Sequence, residues 1–521
     1  SACTITIAPN TISRMHFIEN GTSGSQNIII SQGSGANVTI PPGDTKAVYL
    51  DGAGSGAAVV DAFASLSVVD LKVQDDLTVT GASTAATYNG ISSKTFGTGS
   101  IMIGDTTTGT INAADNNVGL GVDVFAALTS GDENIAIGTG ALDAVNTGQR
   151  NVGIGHNALT SARDDNYNTA VGAYALNTAE AENNVAVGYL SLFANTTGDN
   201  NVGIGTQALD ANTTASNNTA LGFRALTTNT TGAENVAIGA NALLDQTTGE
   251  KNVAVGMNAA ESITTGTNSI AIGHSALATA TTGSSNVAVG LNALLNNTTA
   301  SNNTAIGQQT LNGNTTGTSN IAIGHQAIFT NSTGGRNVGI GHGALYNNTT
   351  ASNNTAVGYF ALLANTTGAG NTAVGDSALD ANTTAGDNTA VGYKALTATT
   401  TGGANVAVGK DALEANTTAA NNTAVGFKTL EANTTGAHNT AVGKGTLDSN
   451  TTASYNTAVG SNVMDANTTG ASNVAIGYAA LNVNTTASYN TALGFQSMDA
   501  NTTGAENVAI GSNALGSNTT A

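Results

Sequence analysis

Large side chains and positive charge are scarce in this sequence, and each scarcity rules something out. Aromatic residues make up 4%, tryptophan is missing, and charged residues of both signs reach only 9%. So few bulky groups cannot fill a wide globular core at native packing density, but they can fill a narrow one built of thin repeating layers. Only 13 lysines and arginines stand against 33 acids, for a formal charge of −20. Duplex binding needs clustered cations to neutralise phosphates, so nucleic acid is not expected as a partner, and anionic membrane surfaces are disfavoured for the same reason. The single cysteine, Cys3, allows neither an intrachain disulfide nor a cysteine metal cluster. It reads as a terminal thiol of a chain assembled in a reducing compartment. No apolar run approaches the length of a transmembrane helix, so no membrane insertion is expected. The opening Ser-Ala-Cys-Thr lacks the basic-then-apolar order of a signal peptide, which fits removal of an initiator Met or a signal already lost. Proline is confined to Pro9, Pro41 and Pro42. Because proline cannot donate to a hydrogen-bond ladder, the remainder of the chain is free to be laddered throughout.

What the sequence does have is a repeat. Asn201, Asn218, Asn235 and Asn252 each open a motif N-[TV]-[AG]-[VIL]-G, 17 residues apart, and the spacing holds to Asn507. Backwards it reaches Asn184, Asn168, Asn151, Asn134 and Asn117, with one 16-residue unit from Asn168 to Asn184 and a degenerate unit at Ser100. All 25 units keep glycine at the fifth place, from Gly104 to Gly511. Such self-similarity points to a stacked repeat architecture.

Helical coils are a poor fit, because 17 residues do not close on a 3.6 period and Gly, Asn and Thr are weak helix formers. The opening segment instead alternates as a strand does, with Val236 and Ile238 on one side and Ala237 on the other. Each unit is therefore read as one coil of two short strands and two turns, or a flattened triangle. Stacked at about 4.8 Å, such coils let backbone groups pair with the coils above and below. The fold class is all-β: a small N-terminal β domain, then a long parallel β-solenoid (β-roll) of about 25 coils, roughly 120 Å long. The fifth-place glycine suits a corner with positive φ or close backbone approach. The small third place suits a neighbouring backbone packed close. The fourth place (Val, Ile or Leu) and the ninth (usually Leu, as at Leu209, Leu226 and Leu243) are expected to form the core. Turns ending N-T-T-A, as at Ala215 and Ala300, alternate with turns ending N-T-T-G and are followed by Thr at the second place, which predicts two backbone forms of that turn and two alternating second-place environments. The last unit, 507–521, shows no atypical cap, so the chain is expected to continue, to have been cleaved, or to be capped by another protein.

Residues 1–75 differ in texture. Five short runs, at 4–7, 15–18, 27–30, 37–40 and 47–50, read as strands between Gly/Asn/Ser turns, with a short helix possible over 57–66. The division is thus 1–75 as an N-terminal β domain, 76–99 as a connector and 100–521 as the shaft.

Residues 19–33 (ENGTSGSQNIIISQG) and 46–57 (KAVYLDGAGSGA) resemble N-terminal regions of tail-fibre-like structural proteins of marine tailed phages. The repeat, as in 354–362 (NTAVGYFAL), resembles the shaft repeats of such fibres. That resemblance implies a homotrimeric virion appendage whose residues 1–75 dock to tail or other appendage proteins. It further implies a rigid rod reaching toward a host cell-surface receptor, a saccharide for instance, at or beyond its distal end. The core NVAIG at 235–239 is also similar to the head repeat of trimeric autotransporter adhesins, which implies, as the alternative, a bacterial surface adhesin passenger. A flat threonine array for binding ice is a third reading, weakened because Thr213 and Thr214 are adjacent and should face opposite ways.

No catalytic residues, no cofactor-binding residues and no metal ligands are assigned, and no enzyme activity or cofactor is expected. The glycines are spread over 25 corners rather than gathered in a phosphate loop, and acids such as Asp210, Glu234 and Asp380 are scattered. His156, His274, His325 and His342 share the sixth place, and the last two fall in successive coils, about 4.8 Å apart. The same column holds Thr206, Phe223, Met257, Tyr359, Asp376, Lys410 and Ser461, a variety that marks a solvent-facing position rather than a metal centre. The aromatics in that column (Phe223, Tyr359, Tyr393, Phe427, Tyr478 and Phe495) read first as surface residues, with stacking on sugars as the functional option. The Asn-Thr-Thr triplets match the glycosylation pattern, but at this regularity stacked turn hydrogen bonds explain them better.

Overall fold

The computed structural model of the chain describes residues 2–62, 87–88, 91–96, 98–104 and 113–520. It divides into two compact units, Ser1–Thr84 and Ala85–Ala521.

In the first unit all five expected strands are present: β1 (Cys3–Thr6), β2 (Ser13–Glu19), β3 (Ile28–Ser31), β4 (Val38–Ile40) and β5 (Thr45–Asp51). The helix expected over 57–66 is not: β6 (Val59–Asp61) pairs antiparallel with β5, and residues 63–66 lie outside the described residues. Val59 and Val60 explain the strand, being β-branched and alternating between core and solvent. Two three-stranded sheets, β1-β3-β4 and β2-β5-β6, close on Ile30, Val38, Ile40, Val48, Leu50 and Val59. Asn20 is fully buried and tied to this unit by Nδ2 bonds to the carbonyls of Gln26 and Ile40, each 2.9 Å.

The second unit is a parallel β-solenoid. After β7 (Thr87–Tyr88) and β8 (Ile91–Phe96), which fold antiparallel onto β9 (Ser100–Gly104), one strand recurs per repeat from β10 (Val118–Gly121) to β33 (Val508–Ile510), about 24 turns. Registers never slip: Val236, Ala237 and Ile238 sit against Val253, Ala254 and Val255, one repeat on. The 16-residue unit keeps register too, with Ala170 opposite Ala186. Bonds between coils run all the way round. Val236 donates to the Asn252 carbonyl (2.8 Å), Leu243 to Ala259 (3.1 Å), Thr247 to Thr264 (2.9 Å) and Lys251 back to Ala233 (3.1 Å).

Three expectations for the coil need correction. There is one short strand per coil, of three residues from Ile135 onward, not two, although the ladder continues outside it. The cause is backbone handedness: besides the fifth-place glycine, the seventh, ninth and seventeenth places are left-handed, as in Gln207 (φ 58°), Leu209 (φ 55°) and Asn217 (φ 63°). An alternating left-handed backbone cannot be an extended strand.

The second correction concerns the core. The ninth-place leucines are fully buried, but the fourth place points out, with Leu221 44% and Ile306 40% exposed, while the third-place alanines are inside. The interior is a column of third-place Ala or Gly, eighth-place Ala and ninth-place Leu, flanked by asparagine. Third-place glycines admit bulk from the preceding coil: a Cβ at Gly339 would lie 2.6 Å from Ile328 Cγ1.

The third concerns the turn ending in Gly or Ala. Neither Gly198 nor Ala215 has positive φ, so the two turns do not differ in handedness. Stacking separates them instead, since a Cβ at Gly198 would lie 2.1 Å from the Ala215 carbonyl oxygen. Among the described residues, every alanine at this place is followed one coil later by glycine, as Ala215 by Gly232 and Ala385 by Gly402. The second place is one outward, half-buried column whether it holds Thr219 or Val236. The fifth-place glycine behaves as expected: Gly375 has φ 139°, and a Cβ there would lie 2.4 Å from the Gly392 carbonyl oxygen.

Two asparagine ladders finish the interior. The first-place Asn accepts from the backbone N–H of its successor and donates across its own coil. Asn134 Oδ1 receives the Asn151 N–H (2.9 Å), and Asn134 Nδ2 reaches the Gly148 carbonyl (2.9 Å). The twelfth-place Asn links coils side chain to side chain, Asn212 Nδ2 to Asn195 Oδ1 (2.7 Å), and bonds the Ala215 carbonyl (3.0 Å). Asn212 heads one of the Asn-Thr-Thr triplets and is fully buried, in keeping with the structural reading of those triplets. In a core this thin, each amide satisfies backbone groups that would otherwise be buried without partners.

Candidate functional site

Because the third place fills the interior, strand alternation sends the second and fourth places outward along the whole solenoid. Stacked in register, they form two parallel columns: Val, Ile or Thr at the second place and only Val, Ile or Leu at the fourth. Ile270, Ile272, Ile306, Ile321, Ile323 and Ile476 are each more than a third exposed. Over about 24 turns at 4.8 Å, and two columns about 7 Å apart, the strip has a footprint on the order of 800 Å²; Thr fills ten of those 24 second places, so only the fourth-place column is aliphatic throughout. That footprint is about one partner's share of a standard protein–protein interface.

The sixth-place column lies just beyond the glycine corner and is exposed, as its variety predicts. Phe223, Met257, Tyr359, Tyr478 and Phe495 are each about half exposed. Of the histidines at this place, His325 and His342 are brought together, their rings stacked at 5.0 Å with an interplanar angle of 23°. Tyr359 continues that stack at 5.3 Å. Face-to-face imidazoles do not direct their nitrogen lone pairs at a common point, so this pair is a stack rather than a chelate. His156 packs instead against Tyr174, edge-on at 5.2 Å.

Among the described residues, the one grouping of three potential metal ligands is Asp411, Glu414 and Glu431, which the sequence reading did not single out. Each carboxylate already has a lysine: Lys410 on Asp411 (2.9 Å), Lys394 on Glu414 (3.5 Å) and Lys428 on Glu431 (2.8 Å). It is an ion-pair network stacked across coils, legible in principle from Glu414, Glu431 and Asp448 recurring at the tenth place. Next in that column, Asp448 has its carboxyl pushed up to about 6, by burial first, then by the hydrogen bond to Glu431 and the charges of Glu431 and Asp465. Asp165 is likewise pushed up to about 6, by burial and then by Glu180, Glu182, Asp164 and Asp199.

The first unit carries an apolar face of its own. In the β2-β5-β6 sheet, Met15 lies opposite Tyr49 and Tyr49 opposite Val60. These three and Phe17, which is 73% exposed, all face solvent.

No described helix is long and apolar enough to cross a membrane. By class, then, the chain is a small β unit followed by a 17-residue-repeat parallel β-solenoid. Comparison with family models, curated proteins and solved structures finds no match.

Proposed function

We propose that this chain is the shaft of a homotrimeric fibre on the virion of a tailed bacteriophage, with no enzymatic role. Its residues 1–75 attach to tail or appendage proteins, and the solenoid carries recognition of the host surface outward. The resemblance of 19–33, 46–57 and the shaft repeats to such fibres is what supports this reading. The observation that carries self-association is the outward strip, whose fourth-place column is aliphatic throughout, with Ile306 and Ile323 stacked in register and exposed in the lone chain. An apolar strip of that length is costly to leave wet and is covered most economically by identical strips of other copies. The exposed Met15, Phe17, Tyr49 and Val60 are the corresponding surface for attachment through the N-terminal unit. The function is mechanical: stiffness from an unbroken ladder, and reach of roughly 115 Å from about 24 turns.

A surface adhesin passenger is the second reading, favoured by the likeness of residues 235–239 to autotransporter head repeats. Electron microscopy of purified phage particles, labelled with antibody against residues 1–75, separates the two. Label at the base of slender rods on virions is the expected result. Label on the bacterial envelope and none on virions would replace the fibre with the adhesin.

A further inference from the structure

Two aromatic stacks run side by side over the three coils of residues 320–370. One is the sixth-place stack His325–His342–Tyr359. The other, at the tenth place, is Phe329 on Tyr346, with ring centroids 5.0 Å apart and planes within 17°. Between them runs the seventh place, which carries a side chain in most coils: Gln309, Gln326 and Phe360 here, Asn elsewhere. At Gly343 that column loses one side chain. The result is an open cleft of about 330 Å³ lined by Gln326, His342, Tyr346, Asn347, Phe360 and Leu363. Phe360 leans into the gap, edge-on to His342 at 5.2 Å and tilted on Tyr359 at 4.0 Å. A Cβ at Gly343 would lie 2.6 Å from the Phe360 ring.

We propose that this cleft binds a neutral hexopyranose unit of a glycan. Its chemistry is aromatic faces beside side-chain amides and an imidazole, without a charged residue in the lining. A pyranose ring has the matching form: one C–H face that stacks on an aromatic ring and a rim of hydroxyls that trade hydrogen bonds with amides and imidazole. The cleft is too open to hold a purely apolar ligand away from water, and a chain of charge −20 disfavours acidic sugars. The site lies on the solenoid itself rather than beyond its end, and it does not depend on the virion reading: a free adhesin would carry it equally.

The test uses the full chain and a panel of glucose, galactose, mannose, N-acetylglucosamine, lactose and maltose, read by saturation-transfer NMR and then by calorimetric titration. At least one sugar is expected to receive saturation on its ring protons, with a dissociation constant of roughly millimolar order. Gly343→Asn refills the column, and Phe360→Asn removes a ring; Asn is common at the left-handed seventh place, so both variants should fold, as circular dichroism will check. Each should weaken binding tenfold or more, whereas Tyr478→Ser, in another aromatic stack, should leave it unchanged. No saturation transfer from any sugar of the panel would overturn the proposal. Equal binding by the wild type and both cleft variants would overturn it as well, by placing the sugar elsewhere.

Discussion

Ser275 sits at the seventh place of its coil with φ 52°, a conformation that L residues avoid because Cβ crowds the following carbonyl oxygen. The coil has three such places besides its glycine, and the residues found there share one exclusion. Of the described non-glycine residues with positive φ, only Ile328 is β-branched, in a chain rich in Thr, Val and Ile. The fifth-place glycine announced its corner in the sequence because only glycine is indifferent to the sign of φ. The other three places were not legible by the same route, since Asn, Gln, Leu and Tyr occur in any backbone, and their signal was the absence of a residue type from a column. Ser275→Val should therefore destabilise its coil by roughly 1–2 kcal/mol and Ser275→Gly by less than about 1, measured as amide hydrogen exchange of the flanking coils. Equal effects would contradict the left-handed assignment. Gly375→Ala should cost more than about 2 kcal/mol, because it combines positive φ with a backbone collision.

The coil is the element of this structure, and its period, register and strand were all readable from the 17-residue spacing and the alternation around Ala237. Which side of the strand faces inward was not. Alternation separates Val236 and Ile238 from Ala237 without saying which side is buried, and the larger residues would fill an ordinary core. Here the interior is thin, ninth-place leucines occupy it, and only Ala or Gly fits opposite them. The first-place ladder makes a graded prediction. Asn388 accepts the Asn405 N–H (2.9 Å) and donates to the Gly402 carbonyl (3.0 Å). Asn388→Ala leaves both groups buried without that partner and should cost roughly 1–3 kcal/mol. Asn388→Ser should cost less, because Ser269 already serves this place and its Oγ receives the Asn286 N–H at 3.3 Å. Acid is a second probe of the coil. With Asp165 and Asp448 pushed up to about 6, the folded chain holds these protons more tightly than an unfolded chain, whose aspartates titrate near 3.9. Stability should therefore fall as pH rises from about 4 through 6, and acidifying from pH 7 to about 5 should raise Tm. A lower Tm at pH 5 would contradict those environments.

At the scale of the whole molecule, the elongated solenoid followed from the sequence because a strict repeat leaves few other ways to bury so many small residues. The aromatic cleft did not, because its residues come from four columns that vary independently, the sixth, seventh, tenth and eleventh places, and their convergence at Gly343 needs the stacking register as well as the spacing. The outward strip became visible only once alanine was found on the inner side. Replacing Ile306 and Ile323 together by lysine should leave the solenoid folded, since both are exposed in the lone chain, yet separate the copies by charge repulsion across a desolvated strip. Unchanged circular dichroism with a loss of assembled mass is the expected pair of results. The most direct test of the account is the native mass of the full chain in solution. A mass near three times 51.1 kDa, falling to one chain in the Ile306→Lys, Ile323→Lys variant, is what the account predicts. A single-chain mass for the wild type would contradict it, leaving the solenoid with an apolar strip that its own copies do not cover.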